Sequence, residues 1–131
     1  MHAQLSPLEA TAALDADVVI TVTTSTLPVY DELAVPGRLV IGVGAFTPSM
    51  AELGTTVLAG SHVYVDDPAG ARDEAGDLIQ AKVDWVTVRP LSTALRDGAD
   101  RSKPIAFKSV GTAAWDLAAA RVARHRLASR A

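Results

Sequence analysis

Two short runs constrain this chain more than any other feature: VVITVTT (18–24) and LVIGV (39–43). Both are rich in β-branched residues and apolar at odd and even positions alike, so neither face of such a strand suits water. Strands of that kind belong to parallel sheets with helices above and below. HVYVD (62–66) is a third strand, and Trp85–Val88 and Ile105–Lys108 are weaker ones. Between them stands one repeated helix signal, a capping side chain followed by proline. It occurs at Ser6-Pro7, where Glu9 completes a capping box, at Thr47-Pro48 and at Asp67-Pro68. Gly54 is placed to stop the helix that Thr47 opens. From Ser109 the chain reads as a long alanine-rich helix, with Val110, Ala113, Ala114, Leu117 and Ala118 toward one side. Its last turns hold Arg121, Arg124, His125, Arg126 and Arg130, which suit the negative end of a helix dipole. Strand–helix–strand alternation at this spacing predicts an α/β domain with a parallel sheet and right-handed crossovers.

Composition removes several functional classes. With 131 residues the chain is large enough for one core, and its net charge of −3 supplies no field for nucleic acid. Cysteine is absent, which excludes disulfide scaffolds, thiolate zinc sites and cysteine nucleophiles. The longest apolar stretch, Leu39 to Phe46, has eight residues and is too short to span a bilayer. The start, MHAQLSPLE, has neither a basic n-region nor an apolar h-region, so a cytoplasmic chain is expected.

The candidate sites gather where strands end. Gly42-x-Gly44-Ala45 closes the LVI strand ahead of a helix signal, and Asp66 follows Gly44 by twenty-two residues. That spacing is close to a dinucleotide fingerprint, but Thr47 stands where a third glycine belongs. The alternative is a tight turn letting the backbone approach a ligand at the carboxyl ends of the strands. Thr23 to Ser25 offer hydroxyls to a ribose or an amide at the end of the first strand. Ser109 either caps the last helix or, with its neighbouring N–H groups, faces a carboxylate or a nicotinamide amide. The acidic group Asp66, Asp67, Asp73, Glu74 and Asp77 has the oxygen content for a hard cation. Arg72 among them and the capping position of Asp67 favour a solvated helix, and no metal is expected. His2, His62 and His125 are scattered, without triad or metal-ligand spacing. Trp85 and Trp115 read as core or interface anchors.

Four blocks, in order, carry a resemblance: ADVVITVTTS from Ala16, PGRLVIGVGAFTPSMAEL, VYVDDPAGARDEAGDL and FKSVGTAAWDLAAARVA. Together they resemble the ornithine cyclodeaminase/mu-crystallin family, and within it the Δ1-pyrroline-2-carboxylate (ketimine) reductases. The resemblance implies the second half of a Rossmann-type NAD(P)-binding domain over residues 1–131, with a returning C-terminal helix at 109–128. The family's N-terminal substrate and dimerisation domain is absent from this stretch. Its glycine-rich phosphate turn, catalytic lysine and substrate-carboxylate arginine belong to that upstream part, so no catalytic residue is expected here. The implied cofactor is NADPH or NADH, the substrate a small cyclic imino acid, and the complete fold a homodimer.

By position, the resemblance makes Thr23, Val40, Ile41, Gly42, Val43, Gly44 and Ser109 cofactor contacts, and Phe46 and Val110 substrate contacts. Met50 stands where the cyclodeaminase has a cofactor-contacting lysine. Phe46 stands where it has its acid/base aspartate, and a phenyl ring cannot move a proton. Ketimine reduction is therefore favoured over cyclodeamination; an alanine dehydrogenase-like activity and a non-catalytic fragment are the alternatives. A chain holding only the second half of such a sheet is expected to expose a strand edge and an apolar face.

Overall fold

The computed structural model describes residues 15–129, so His2, the capped start at Ser6 to Glu9, and Arg130 lie outside the described residues. Five strands form: β1 (Val18–Thr21), β2 (Leu39–Gly42), β3 (His62–Val65), β4 (Arg89–Pro90) and β5 (Ile105–Lys108). All pairings are parallel, in the order β1-β2-β5-β3-β4, so the last strand in the chain takes the middle of the sheet. The helices are α1 (Thr55–Ala59), α2 (Pro68–Glu74), α3 (Gly76–Gln80), α4 (Leu91–Asp97) and α5 (Ala113–Ala128). None of the described helices is long and apolar enough to cross a membrane.

Register decides which side chains share a face. Val19, Val40, Ala106 and Val63 form one row, and Thr21, Gly42, Lys108 and Val65 the next. This covered face packs against Leu53, Val57, Leu58, Ala71, Ala75 and Leu78, which with Tyr30 make the core. Each fully buried large aliphatic side chain there contributes about 1.5–3 kcal/mol. On the opposite face Ile20, Ile41, Phe107 and Tyr64 align. Only Tyr64 is closed off there, beside β4, where its hydroxyl accepts from the Asp100 N–H. At the free edge Val18 is 49% and Ile20 59% exposed. Burial on two faces is thus met on one side among the described residues, and the expected exposed edge and apolar face are those of β1.

Several sequence-based expectations need correction. Thr47-Pro48 opens no helix, and residues 47–52 run as an irregular turn-and-bend segment ending at Leu53, which bridges to Tyr30. Tertiary partners take the backbone groups that a helix would need: Ala51 N–H donates to Ser25 O, and Val29 and Tyr30 N–H both donate to Glu52 O. Gly54 consequently precedes α1 instead of ending a helix, and Asp31, from a separate segment, accepts the N–H groups of Thr56 and Val57. Trp85–Val88 is a turn closed by Thr87 on Asp84, and the strand starts only at Arg89. Trp85 does anchor against the core, with the Arg72 guanidinium 5.2 Å from its ring centre. Ser109 caps nothing: Thr112 is the N-cap and α5 starts at Ala113. All its described side chains, Trp115 included, are exposed, so the apolar stripe expected from Val110 onward packs only at Val110 itself.

Asp67 behaves as its sequence suggests, accepting Ala69 and Gly70 N–H ahead of Pro68 at the first position of α2. The helix breaks at Ala75, which leaves Asp73 and Glu74 in solvent and sends Asp77 into the core. No group of three or more His, Asp or Glu able to hold a metal occurs among the described residues.

Candidate functional site

The carboxyl ends of β1, β2, β5 and β3 lie side by side, so Thr23, Val43–Phe46, Ser109–Gly111 and Asp66 share one rim. The sheet ladder runs on into this rim, with Val43 N–H donating to Thr21 O (3.0 Å) and Ser109 N–H to Gly42 O (2.9 Å). Two carboxylates organise what lies beyond. Glu52, fully buried, accepts the Thr23 N–H on Oε1, and the Gly44 N–H (2.6 Å) and Thr21 hydroxyl (3.1 Å) on Oε2. Its own N–H and that of Leu53 donate to Asp77 Oδ1. Asp77 Oδ2 faces Lys108 Nζ at 3.2 Å, and Nζ also donates to Gly42 O at 3.4 Å. Burial pushes the Glu52 carboxyl up, but hydrogen bonds from Gly44, Thr23 and Thr21 outweigh it and hold it below the usual value.

Asp66 organises the neighbouring turn. Its Oδ2 accepts the Ser109 hydroxyl (2.7 Å), the Val110 N–H (3.1 Å) and the Gly111 N–H (2.8 Å), while Oδ1 accepts the Asp67 N–H (2.9 Å).

These bonds decide what the rim can bind. A phosphate-binding turn must offer free backbone N–H groups. Here the Gly44 N–H is taken by Glu52, those of Val110 and Gly111 by Asp66, and that of Ser109 by β2. The GxG turn is therefore no pyrophosphate cradle. Gly44 is required for a different reason: a Cβ there would overlap the Thr23 carbonyl and the Glu52 carboxylate. The N–H groups of 109–111 likewise do not face a bound carboxylate, because the protein supplies its own. What the rim exposes is apolar surface and hydroxyls: Val43 is 39% and Phe46 48% exposed, and Thr23 is open to solvent. The Ser109 hydroxyl donates to Asp66 and keeps an oxygen able to accept.

The structure brings Thr23, Gly42, Val43, Gly44, Phe46, Ser109 and Val110 to this rim. It places Val40 below it, in the core, and Ile41 half-buried on the opposite face. Met50 is half-buried, and its carbonyl accepts from the Gln80 amide. Sequence reasoning missed Glu52 and Lys108, and read Asp77 as part of a solvated acidic helix although it is buried. Lys108 did carry a signal, since it shares parity with Ala106 and so falls on the covered face. Glu52 and Asp77 carried only weaker ones, each being an acid inside an apolar stretch.

A cleft of about 650 Å³ lies at the other end of the sheet, lined in part by Ser61, His62, Lys82, Arg89 and Lys103. It is not the candidate site. Open α/β sheets take ligands at the carboxyl ends of their strands, and two of its charged side chains, His62 and Arg89, are already matched. Asp100 pairs with His62 (3.2 Å) and Arg89 (3.0 Å), and bonds from Ser102 and then Arg89 hold its carboxyl far below the usual range.

Comparison with known proteins places the fold among known relatives. A Δ1-pyrroline-2-carboxylate/Δ1-piperideine-2-carboxylate reductase of Azospirillum brasilense is 58% identical over 128 residues, 97% of this chain and 41% of that protein. A probable ornithine cyclodeaminase from Bordetella pertussis superposes with a TM-score of 0.78 at 31% identity, covering 92% of this chain and 42% of the other. A Thermococcus litoralis Δ1-pyrroline-2-carboxylate reductase, solved with NADH and L-proline, superposes with a TM-score of 0.62 at 25% identity, covering 74% and 33%. The chain thus spans about two fifths of the length of these curated relatives. The model of the ornithine cyclodeaminase/mu-crystallin family matches residues 3–131, and the chain belongs to that family.

Proposed function

We propose that this chain forms the nicotinamide end of an NADPH- or NADH-dependent reductase of cyclic ketimine acids, converting Δ1-pyrroline-2-carboxylate, or its six-membered homologue, to the cyclic amino acid. The observation that carries this reading is the chemistry of the rim. The N–H groups of Thr23, Gly44, Val110 and Gly111 are held by two carboxylates, and the rim's exposed surface includes Val43, Phe46 and hydroxyls. Such a rim disfavours phosphate and suits an uncharged ring that becomes cationic as it gives up hydride. The residues therefore fit a nicotinamide, which when bound supplies the hydride. Thr23, Val43, Gly44 and Ser109 are the residues that would hold it. Ser109, its hydrogen committed to Asp66, presents its oxygen as an acceptor to the carboxamide N–H.

Phe46 has no exchangeable proton, so reactions that need an acid or base at this position are not served. It offers an apolar plate to a ring-shaped substrate beside Val110, and excludes water from the reacting carbon. The Azospirillum relative, named for both cyclic imine substrates, and the Thermococcus structure, with NADH and proline, support the same assignment. The wider family resemblance supports a homodimer in the cytoplasm for the complete protein.

The test is a chimera joining the upstream portion of the Azospirillum reductase to this chain. NADPH oxidation driven by Δ1-pyrroline-2-carboxylate is the expected result. A folded, dimeric chimera with no turnover would sink the assignment. Residues 1–131 alone are expected to show no turnover, because neither the 42–44 turn nor the 109–111 turn is a pyrophosphate cradle.

A further inference from the structure

Three ionisable side chains, Glu52, Asp77 and Lys108, are 0–1% exposed and connected in series. The group holds two carboxylates and one ammonium, of which only Asp77 and Lys108 pair directly, and apolar replacements of buried ion pairs are often no less stable. Stability alone does not explain the arrangement, and its direction is informative. It starts beneath β5 at Lys108, passes through Asp77 to the Glu52 backbone, and ends on two outward turns, with one Glu52 oxygen on Thr23 N–H and the other on Gly44 N–H. These turns belong to adjacent strands, and they already meet so closely that Gly44 admits no Cβ beside the Thr23 carbonyl.

We propose that Glu52, held by Asp77 and Lys108, is a positioning residue that fixes the spacing of the Thr23 and Gly44 turns so that the nicotinamide ring meets a preset edge. The inference rests on the nicotinamide reading above. Glu52 touches no ligand; it acts by taking the two N–H groups that set where Thr23 and Val43 stand. A Gln at this position keeps the shape but replaces one acceptor by an NH2 group that faces a donor. The edge then loosens with little change in volume. The Thr21 hydroxyl, which donates to Oε2, tunes the same carboxylate more gently.

The experiment is amide NMR on the 131-residue chain, as wild type, Glu52→Gln and Thr21→Val, titrated with reduced nicotinamide mononucleotide. In the wild type the Thr23 and Gly44 amides should be protected from exchange, and the mononucleotide should shift Thr23, Val43 and Gly44. Glu52→Gln should lose that protection and weaken binding by at least about tenfold, with dispersed spectra retained; Thr21→Val should fall between. A folded Glu52→Gln chain with lost protection but unchanged affinity overturns the positioning role and leaves the nicotinamide reading standing. A wild-type chain with protected amides but no ligand shifts overturns both. Should Glu52→Gln fail to fold, Thr21→Val decides, since a moved Gly44 amide with unchanged affinity also overturns the proposal.

Discussion

The rim of this sheet has two turns built on the same principle and backed differently. In both, a carboxylate from the protein fills the place that a bound anion takes in a phosphate turn. Glu52 does so for Thr23 and Gly44 from within the core, braced by Asp77 and Lys108. Asp66 does so for Ser109 to Gly111 from a half-buried position, with no cation paired to it among the described residues and with solvent within reach. Buried charges strengthen one another's hydrogen bonds and are costly to leave unpaired; half-exposed ones can fall back on solvent. The first turn is therefore set on folding. The second can adjust when a ligand arrives.

Removing a brace from the buried side should give the largest effect. Asp77→Ala strands the Lys108 ammonium in the core and frees the Glu52 and Leu53 N–H groups. A loss of about 3–5 kcal/mol is expected, read from the shift in urea midpoint. Asp66→Ala, on the other turn, should lose about 1.5–3 kcal/mol, as expected for hydrogen bonds to a charged group. Equal losses at the two sites would break the comparison. Gly76→Ala tests the same loop from below, since a Cβ there would overlap the Thr47 and Met50 carbonyls. About 1–3 kcal/mol of overpacking is expected, with NMR shifts centred on 47–50.

Acid should test the buried turn as well. The folded Glu52 carboxyl titrates below its unfolded value of 4.5, so its contribution to stability is present above that pH and is lost as pH falls through the folded value. Denaturation midpoints should therefore drop on acidification below about pH 4.5, and Glu52→Gln should flatten that part of the curve. An unchanged slope in the variant would mean that other carboxylates dominate.

What could be read from the sequence follows a physical division. Strands at 18, 39, 62 and 105 were legible because β-branched runs announce themselves locally, and Asp67-Pro68 because a cap satisfies its own backbone. Thr47-Pro48 carries the same local signature and fails. There the backbone is claimed by Ser25, Asp77 and the 29–30 segment, none of them a sequence neighbour. Glu52, Asp77 and Lys108 were hidden for a related reason: a charged residue looks solvated until register places it. Thr23, Gly44 and Ser109 were legible as strand-end positions, Val43 and Phe46 came from family resemblance, and strand order then set them side by side. That Gly44, Val110 and Gly111 spend their N–H groups on Glu52 and Asp66 was not readable from residue types.

The smallest effect belongs to α5, and it bounds the comparison from the other side. Trp115, Leu117, Val122 and Leu127 are all exposed, so within the described residues this helix rests on alanine propensity and the Thr112 cap. Leu117→Ser removes an apolar side chain that touches no core, and a surface change of this kind usually stays within about 0.5 kcal/mol. The urea midpoint of the chain should barely move. In the chimera the same substitution is informative, because there the apolar side of α5 can meet the upstream portion. A loss of several degrees in the chimera, absent in the chain alone, would show that α5 is an interface element. If the chain alone loses as much, α5 packs on its own sheet, and the open face beside β1 is less open than its exposed Val18 and Ile20 indicate.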